Sequence, residues 1–346
     1  RDWSVTGVQT CALPIYPVIE GWGTTSHARL WLQRGEPAEF RGLFRAGDDS
    51  HVRTIGLDGT IREWSTTPRG TVPVITTPAR VVFCMDASLD GRTLAFATRD
   101  GRIYSASIDA LSYQRQVGVM PDGVRSVGVL RDDSVVAVSD TGTLKVWPAD
   151  GTPARSTSLL KPGALRLCLS PDRTMIAVVD GNATLTLFRV VDLAPIRSIE
   201  TGHGSVAALK WHDQAGIVVA SGDGRIQQWS PDGLRTAPEI HVEDRIASIG
   251  INTDGSVLVV GQENGILTRW RLDTHSMIDK AIQAGSRISS VQFLPDNSRF
   301  MTTHADRTIR VWIASYAEIA TVLHGHASPV VEAAVLPDDA LATIDS

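Results

Sequence analysis

The chain has 346 residues, 42% of them hydrophobic and 21% charged, enough to bury a large core. Its 33 basic and 38 acidic residues leave a net charge of −5, so no basic excess exists to neutralise a phosphate backbone, and nucleic acid is not an expected partner. No apolar run reaches the roughly 18 residues of a helical membrane span, and three Cys cannot make a disulfide scaffold.

Residues 1–16 stand apart from the rest. The stretch from Val5 to Ile15 resembles the in-frame translation of a sequencing-library adapter, with Arg1–Ser4 and Tyr16 as junction. These residues are expected to contribute nothing to a core. The remainder, 17–346, reads as one domain and as a fragment of a longer protein.

From Pro17 onward the chain repeats. The heptapeptide Asp58-Gly59-Thr60-Ile61-Arg62-Glu63-Trp64 returns as Asp223-Gly224-Arg225-Ile226-Gln227-Gln228-Trp229. Variants end at Trp147, Trp270 and Trp312, weaker copies at Ala106 and Phe188, and a truncated one at Trp22. Successive closing positions are 41 or 42 residues apart throughout. Each period holds short β-branched runs between turns, such as Val257–Val260 and Ile217–Ala220, and none shows sustained helical periodicity. Between Trp229 and Trp270 four strands are predicted, near 236–241, 245–251, 257–261 and 266–271. Pro231-Asp232-Gly233, Thr253-Asp254-Gly255 and Glu263-Asn264-Gly265 supply the turns. Innermost strands are predicted to begin near 39, 81, 124, 164, 206, 246, 288 and 330.

Four short antiparallel strands per period describe a propeller blade. The chain resembles the WD-repeat β-propeller family in its degenerate, bacterial-type form. The resemblance covers 17–346 and rests on the period and the closing Trp. The Trp-Asp dipeptide is absent, and Gly-His survives only at Gly202-His203 and Gly325-His326. An all-β propeller with seven complete blades and two half-blades is expected, near 18–34 and 330–344. If the halves pair, the ring has eight blades; otherwise seven close. An unpaired half-blade would leave open edges, which favours the eight-bladed closure.

Chemistry is sparse. No phosphate loop, nucleophile elbow, HExxH or CxxC motif occurs, and the nine His are not clustered at metal spacing. No cofactor, metal or catalytic residue is expected. Cys84 and Cys168 fall on inner strands two blades apart, too far for a disulfide. The recurring Trp reads as packing between blades. By resemblance, one blade keeps a buried polar network: Trp229 donates to Ser221, Ser221 to His203 and His203 to Asp223. The acidic pairs between first and second strands, Asp132-Asp133 among them, read as turn residues that make one face acidic. On the other face Arg80, Arg245 and Arg287 share the register of an inner-strand start, a candidate mouth for an acidic partner. The resemblance implies a non-catalytic scaffold or sensor that binds protein or an acidic peptide in the cytoplasm. It further implies a larger bacterial signalling protein with its effector N-terminal to this fragment. The alternative is an enzyme propeller, a hydrolase or quinone-dependent oxidoreductase with its site at the channel.

Overall fold

The computed structural model describes residues 18–345, apart from 24–28, 35–39, 46–50, 57–59, 66–73, 77–81, 89–91, 108–113, 159, 164–165, 203–204, 279–280, 294–296, 307, 315–317, 325–328 and 336–339. Residues 1–16 therefore lie outside the described residues, as does the junction expected there. Among the described residues every regular element longer than a turn is a strand.

The strands form eight four-stranded antiparallel sheets. Seven are built from consecutive strands. The fifth blade, for example, runs through Val206–His212, Gly216–Ser221, Arg225–Trp229 and Ile240–His241. Inner strands begin at Phe40, Val82, Val124, Arg166, Val206, Ile246, Ile288 and Val330, each within two residues of its predicted start. Most inner strands carry an irregularity after their first residue, as between Val124 and Ser126 or between Ile246 and Ser248. Such a bulge increases the local twist, which a blade needs to fan out from the axis.

The eighth sheet joins the two ends of the chain. Its order is Arg29–Arg34, Val18–Gly23, Ala340–Asp345, Val330–Val335. Ile19 pairs with Ile344, Gly21 with Ala342 and Gly23 with Ala340. The half-blades thus complete one blade. Each inner strand touches the next, and Val330–Val335 touches Phe40–Arg45, so the ring closes with eight blades.

The core lies between blades. Trp229 packs with Ile217 and Val219 of its own blade against Val179, Leu185 and Leu187 of the blade before it. Trp147 packs on Ala95, Ala97 and Ile103, and Trp312 on Val259 and Leu267, each again from the preceding blade. This is the packing role the repeated Trp suggested. The ladder also explains Gly118. A Cβ there would stand 2.1 Å from Trp147 Nε1, so only Gly leaves room for the indole against the neighbouring blade.

Candidate binding site at the channel

Of the three arginines expected at the channel mouth, Arg80 lies outside the described residues. Arg245 and Arg287 are exposed and stand on adjacent blades at the face where inner strands begin. Between them is Glu263, in the turn after Val257–Gln262. Its carboxylate is 3.4 Å from Arg287 Nη2 and 3.9 Å from Arg245 Nε. The Glu263 N–H donates to the Arg245 carbonyl at 2.9 Å, which holds that turn against the strand start. The two guanidiniums therefore share one half-exposed carboxylate, and the mouth carries less positive potential than the arginines alone suggest.

Further cations line the channel wall. A cavity of about 230 Å³ is bordered by Arg125, Arg166 and Lys210, from three consecutive blades, with Ser126, Leu167 and Leu209. Arg125 is paired with Asp140 at 2.8 Å. Arg166 and Lys210 have no carboxylate partner among the described residues. Sequence reasoning missed all three. For Arg166 and Lys210 the signal lay in the alternation of side chains along the strand, whereas Arg125 falls in the bulge after Val124. Asp86, Cys168 and Lys210 share one strand register, opposite Ala95, Ala177 and Val218, and Cys168 packs against the core between the fourth and fifth blades. Neither Cys84 nor Cys168 forms a disulfide. Burial pushes the Cys168 thiol up to about 12, while Lys210 acts in the opposite direction. Such a thiol stays protonated and unreactive at neutral pH.

The polar network expected around Trp229 is built differently. His203 lies outside the described residues. The Ser221 hydroxyl donates to Asp223 and lies 3.0 Å from the Arg225 carbonyl, so it closes its own turn. The expected bond from Trp229 to Ser221 is not made. Trp229 Nε1 is buried without a hydrogen-bond partner among the described residues. The reason is register. Trp229 pairs with Ile217, and two residues along the same face stands Val219, which cannot accept.

A network of the expected type exists two blades on. Trp312 pairs with Phe300, and two residues along stands Thr302. The Trp312 N–H donates to Thr302 Oγ1 at 2.8 Å. Thr302 Oγ1 lies 2.6 Å from His304 Nε2, and His304 Nδ1 lies 3.2 Å from the Ser286 carbonyl. A carbonyl only accepts, so Nδ1 carries the proton and Nε2 accepts from Thr302. Donors run in one direction, Trp312 to Thr302 to His304 to Ser286, and none is left over. Burial of His304, followed by the nearby Arg310 charge, lowers its pKa to about 4. The ring is neutral and structural.

The acidic turns behave as turns. Asp172 accepts from Ser170 Oγ at 2.6 Å and from Thr174 N at 3.1 Å; led by the Ser170 bond, these hold its carboxyl below the usual range. No cluster of three or more metal-ligating side chains occurs among the described residues, and none of their helices is long and apolar enough to cross a membrane.

A family model described as "WD domain, G-beta repeat" matches residues 194–230 and 280–312, which end at or just past Trp229 and Trp312. Among curated proteins, Telomerase protein component 1 of Mus musculus is 26% identical over 68% of this chain. Apoptotic protease-activating factor 1 of Rattus norvegicus is 24% identical over 62% of it. The matched regions are 9% and 18% of those proteins, so the chain spans only a small part of them. Target of rapamycin complex subunit wat1 of Schizosaccharomyces pombe is 22% identical over 49% of this chain and 71% of its own. Among solved structures, Saccharomyces cerevisiae Sqt1 superposes with a TM-score of 0.75 at 11% identity, over 89% of this chain and 95% of that one. The computationally designed Ika8 protein gives 0.72 at 19% identity, over 86% and 91%. Both likenesses concern the fold.

Proposed function

We propose that this propeller, which matches the WD-repeat model over 194–230 and 280–312, is a non-catalytic protein-binding scaffold or sensor module whose partner presents acidic residues to the channel mouth. WD-repeat propellers typically mediate protein–protein interactions, and loops on a rigid ring suit that use. The observation that carries the finer reading is the run of Arg125, Arg166 and Lys210 along one cavity, in a protein whose net charge is −5. Arg245 and Arg287 extend the positive surface outward, and Glu263 sits between them as an internal competitor for their guanidiniums. An acidic segment of the partner would displace that carboxylate and gain paired hydrogen bonds. Membership of a larger signalling protein belongs to the same proposal. It draws support from similar chains whose names are those of larger proteins, a protease-activating factor and a myosin heavy chain kinase.

The test is affinity capture from the source lysate with the wild type and with Arg166→Ala/Arg245→Ala/Arg287→Ala. The partner is expected to be lost from the folded variant and from the wild type at high salt, because exposed charge pairs are screened. Glu263→Gln is expected to strengthen capture. Partners retained by the folded triple variant would overturn the assignment to this mouth.

A further inference from the structure

The opposite face carries a larger cavity, of about 850 Å³, between the third, fourth and fifth blades. Its walls are turns. Leu130, Arg131 and Asp132 come from the third blade, Arg173, Thr174 and Arg189 to Val191 from the fourth, and Pro231 and Asp232 from the fifth. Its apolar lining comes from Met175, Val190, Val191 and Ile196.

Two features mark this groove as more than a gap between blades. First, exposed large apolar side chains concentrate here. Among the described residues five are exposed: Val119, Val191, Ile196, Leu234 and Met277. Val191 and Ile196 line the groove. Leaving Val191 69% and Ile196 44% exposed in one groove is unfavourable unless something covers them. Second, two guanidiniums line the groove without an ion pair. Arg173 is committed to Asp86 and Arg189 to Asp192. Arg131 and Arg155 form no ion pair among the described residues, although Arg155, behind the Thr152 hydrogen bonds, helps lower the pKa of Asp150, and Asp132 and Asp232 line the same groove. Arg155 gives Nη1 to the neutral Val191 carbonyl, and its Nε is buried with no partner. The Asp132 carboxylate accepts from Ser134 N at 3.1 Å and so serves its own turn.

The walls are already fixed. Val190 N donates to the Thr174 carbonyl at 3.1 Å, and Arg189 N to that of Ala194 at 3.1 Å. A ligand would meet a formed groove and would not have to order it.

We propose that this groove is a second docking site, separate from the channel mouth, for a short segment of a partner protein that carries a large apolar side chain next to an acidic one. The apolar side chain covers Val191 and Ile196. The carboxylate pairs with Arg155 and Arg131, whose planar donors suit it.

The experiment uses fluorescein-labelled Glu-Glu-Leu-Phe-Glu-Glu and reads anisotropy on the full chain. Two control peptides replace Glu by Lys or Leu-Phe by Ser-Ser. The first peptide is expected to bind at least tenfold more tightly than either control. Ile196→Asp and, separately, Arg155→Glu are expected to weaken it tenfold or more. Val119→Asp, far from the groove, and Arg245→Ala/Arg287→Ala, at the mouth, are expected to leave it unchanged. Thermal melts establish that each variant is folded; Ile196 is on the surface, so its variant carries the test if the Arg155 variant does not fold. Failure of all three peptides to bind, equal binding of the acidic and basic peptides, or loss of binding in the mouth variant alone would each overturn the proposal. The last outcome would leave the channel-mouth reading intact.

Discussion

Arg173 and Asp86, 87 residues apart in the chain, meet at 2.6 Å beside the channel. Arg173 sits in a turn of the fourth blade, in a left-handed conformation with φ of 60°. Its guanidinium also donates to the carbonyls of Val129, at 2.5 Å, and Ala87, at 3.1 Å. Asp86 in turn accepts from Val129 N at 2.9 Å. One side chain thus ties three consecutive blades together, in a ring where each blade otherwise touches mainly its neighbours.

Arg173→Met should therefore destabilise the chain by about 2–3 kcal/mol, since it takes the guanidinium from two carbonyls and from a largely covered carboxylate that keeps only the Val129 N–H. Asp86→Asn should cost less, because the amide oxygen still accepts from Val129. Urea unfolding of both variants and of the double variant measures the coupling. Independent, additive effects would mean that the clamp contributes little.

His304 makes stability depend on pH. Its folded pKa is lowered from 6.5 to about 4 by burial first and by Arg310 second. Between these values the unfolded chain takes up a proton that the folded chain refuses, so stability rises with pH through this window and is full above about 6.5. The loss on acidification to pH 4 should be on the order of 3 kcal/mol. Thermal melts from pH 4 to 8 should show the slope in the wild type and a flatter one in His304→Gln.

Trp229 offers the converse test. Its buried N–H lacks a partner because Val219 stands where the blade of Trp312 has Thr302. Val219→Thr should supply the acceptor and gain about 0.5–1.5 kcal/mol, against the usual penalty for burying a hydroxyl. Val178→Thr, at the equivalent position of the blade closed by Phe188 rather than a Trp, should lose about 1–2 kcal/mol. Chemical denaturation of both variants decides whether the indole or the site in general sets the sign.

The strands were legible because the information is local. A β-branched run between turn residues defines a strand wherever the ring places it, and the period of 41 or 42 residues counts the blades. The network was only partly legible. Reading followed the Gly-His dipeptide at Gly202-His203, whereas the deciding feature is a hydroxyl ten residues before the closing Trp. Thr302 before Trp312 and the buried Thr54 before Trp64 have it, and Val219 before Trp229 does not. Arg166 and Lys210 could have been found by following the alternation down their inner strands, whereas Arg125 falls in the bulge after Val124, where that alternation breaks. The groove on the opposite face could not. Arg131, Arg155, Val191 and Asp232 come from turns and edges of three blades, and nothing local relates them until the ring brings them together.

Ring closure provides the last test. Gly21 and Ala342 are direct cross-strand partners in the blade that joins the two ends of the chain. Residues opposite one another in an antiparallel pair have Cβ atoms within about 5.5 Å, near enough for a disulfide with small adjustment. Gly21→Cys together with Ala342→Cys should therefore cross-link under oxidising conditions, with the bond located by peptide mass mapping. The closed loop includes nearly all of the propeller, so the oxidised form should be more stable by on the order of 3–5 kcal/mol. Reduction should return the melting temperature to that of the unlinked chain. Moving one Cys out of register, with Gly21→Cys and Val330→Cys, should form little cross-link, since Val330 pairs with Asp345 on the far side of Ala340–Asp345. If the in-register pair also fails to form, the two ends do not share a blade, and the ring must close with seven.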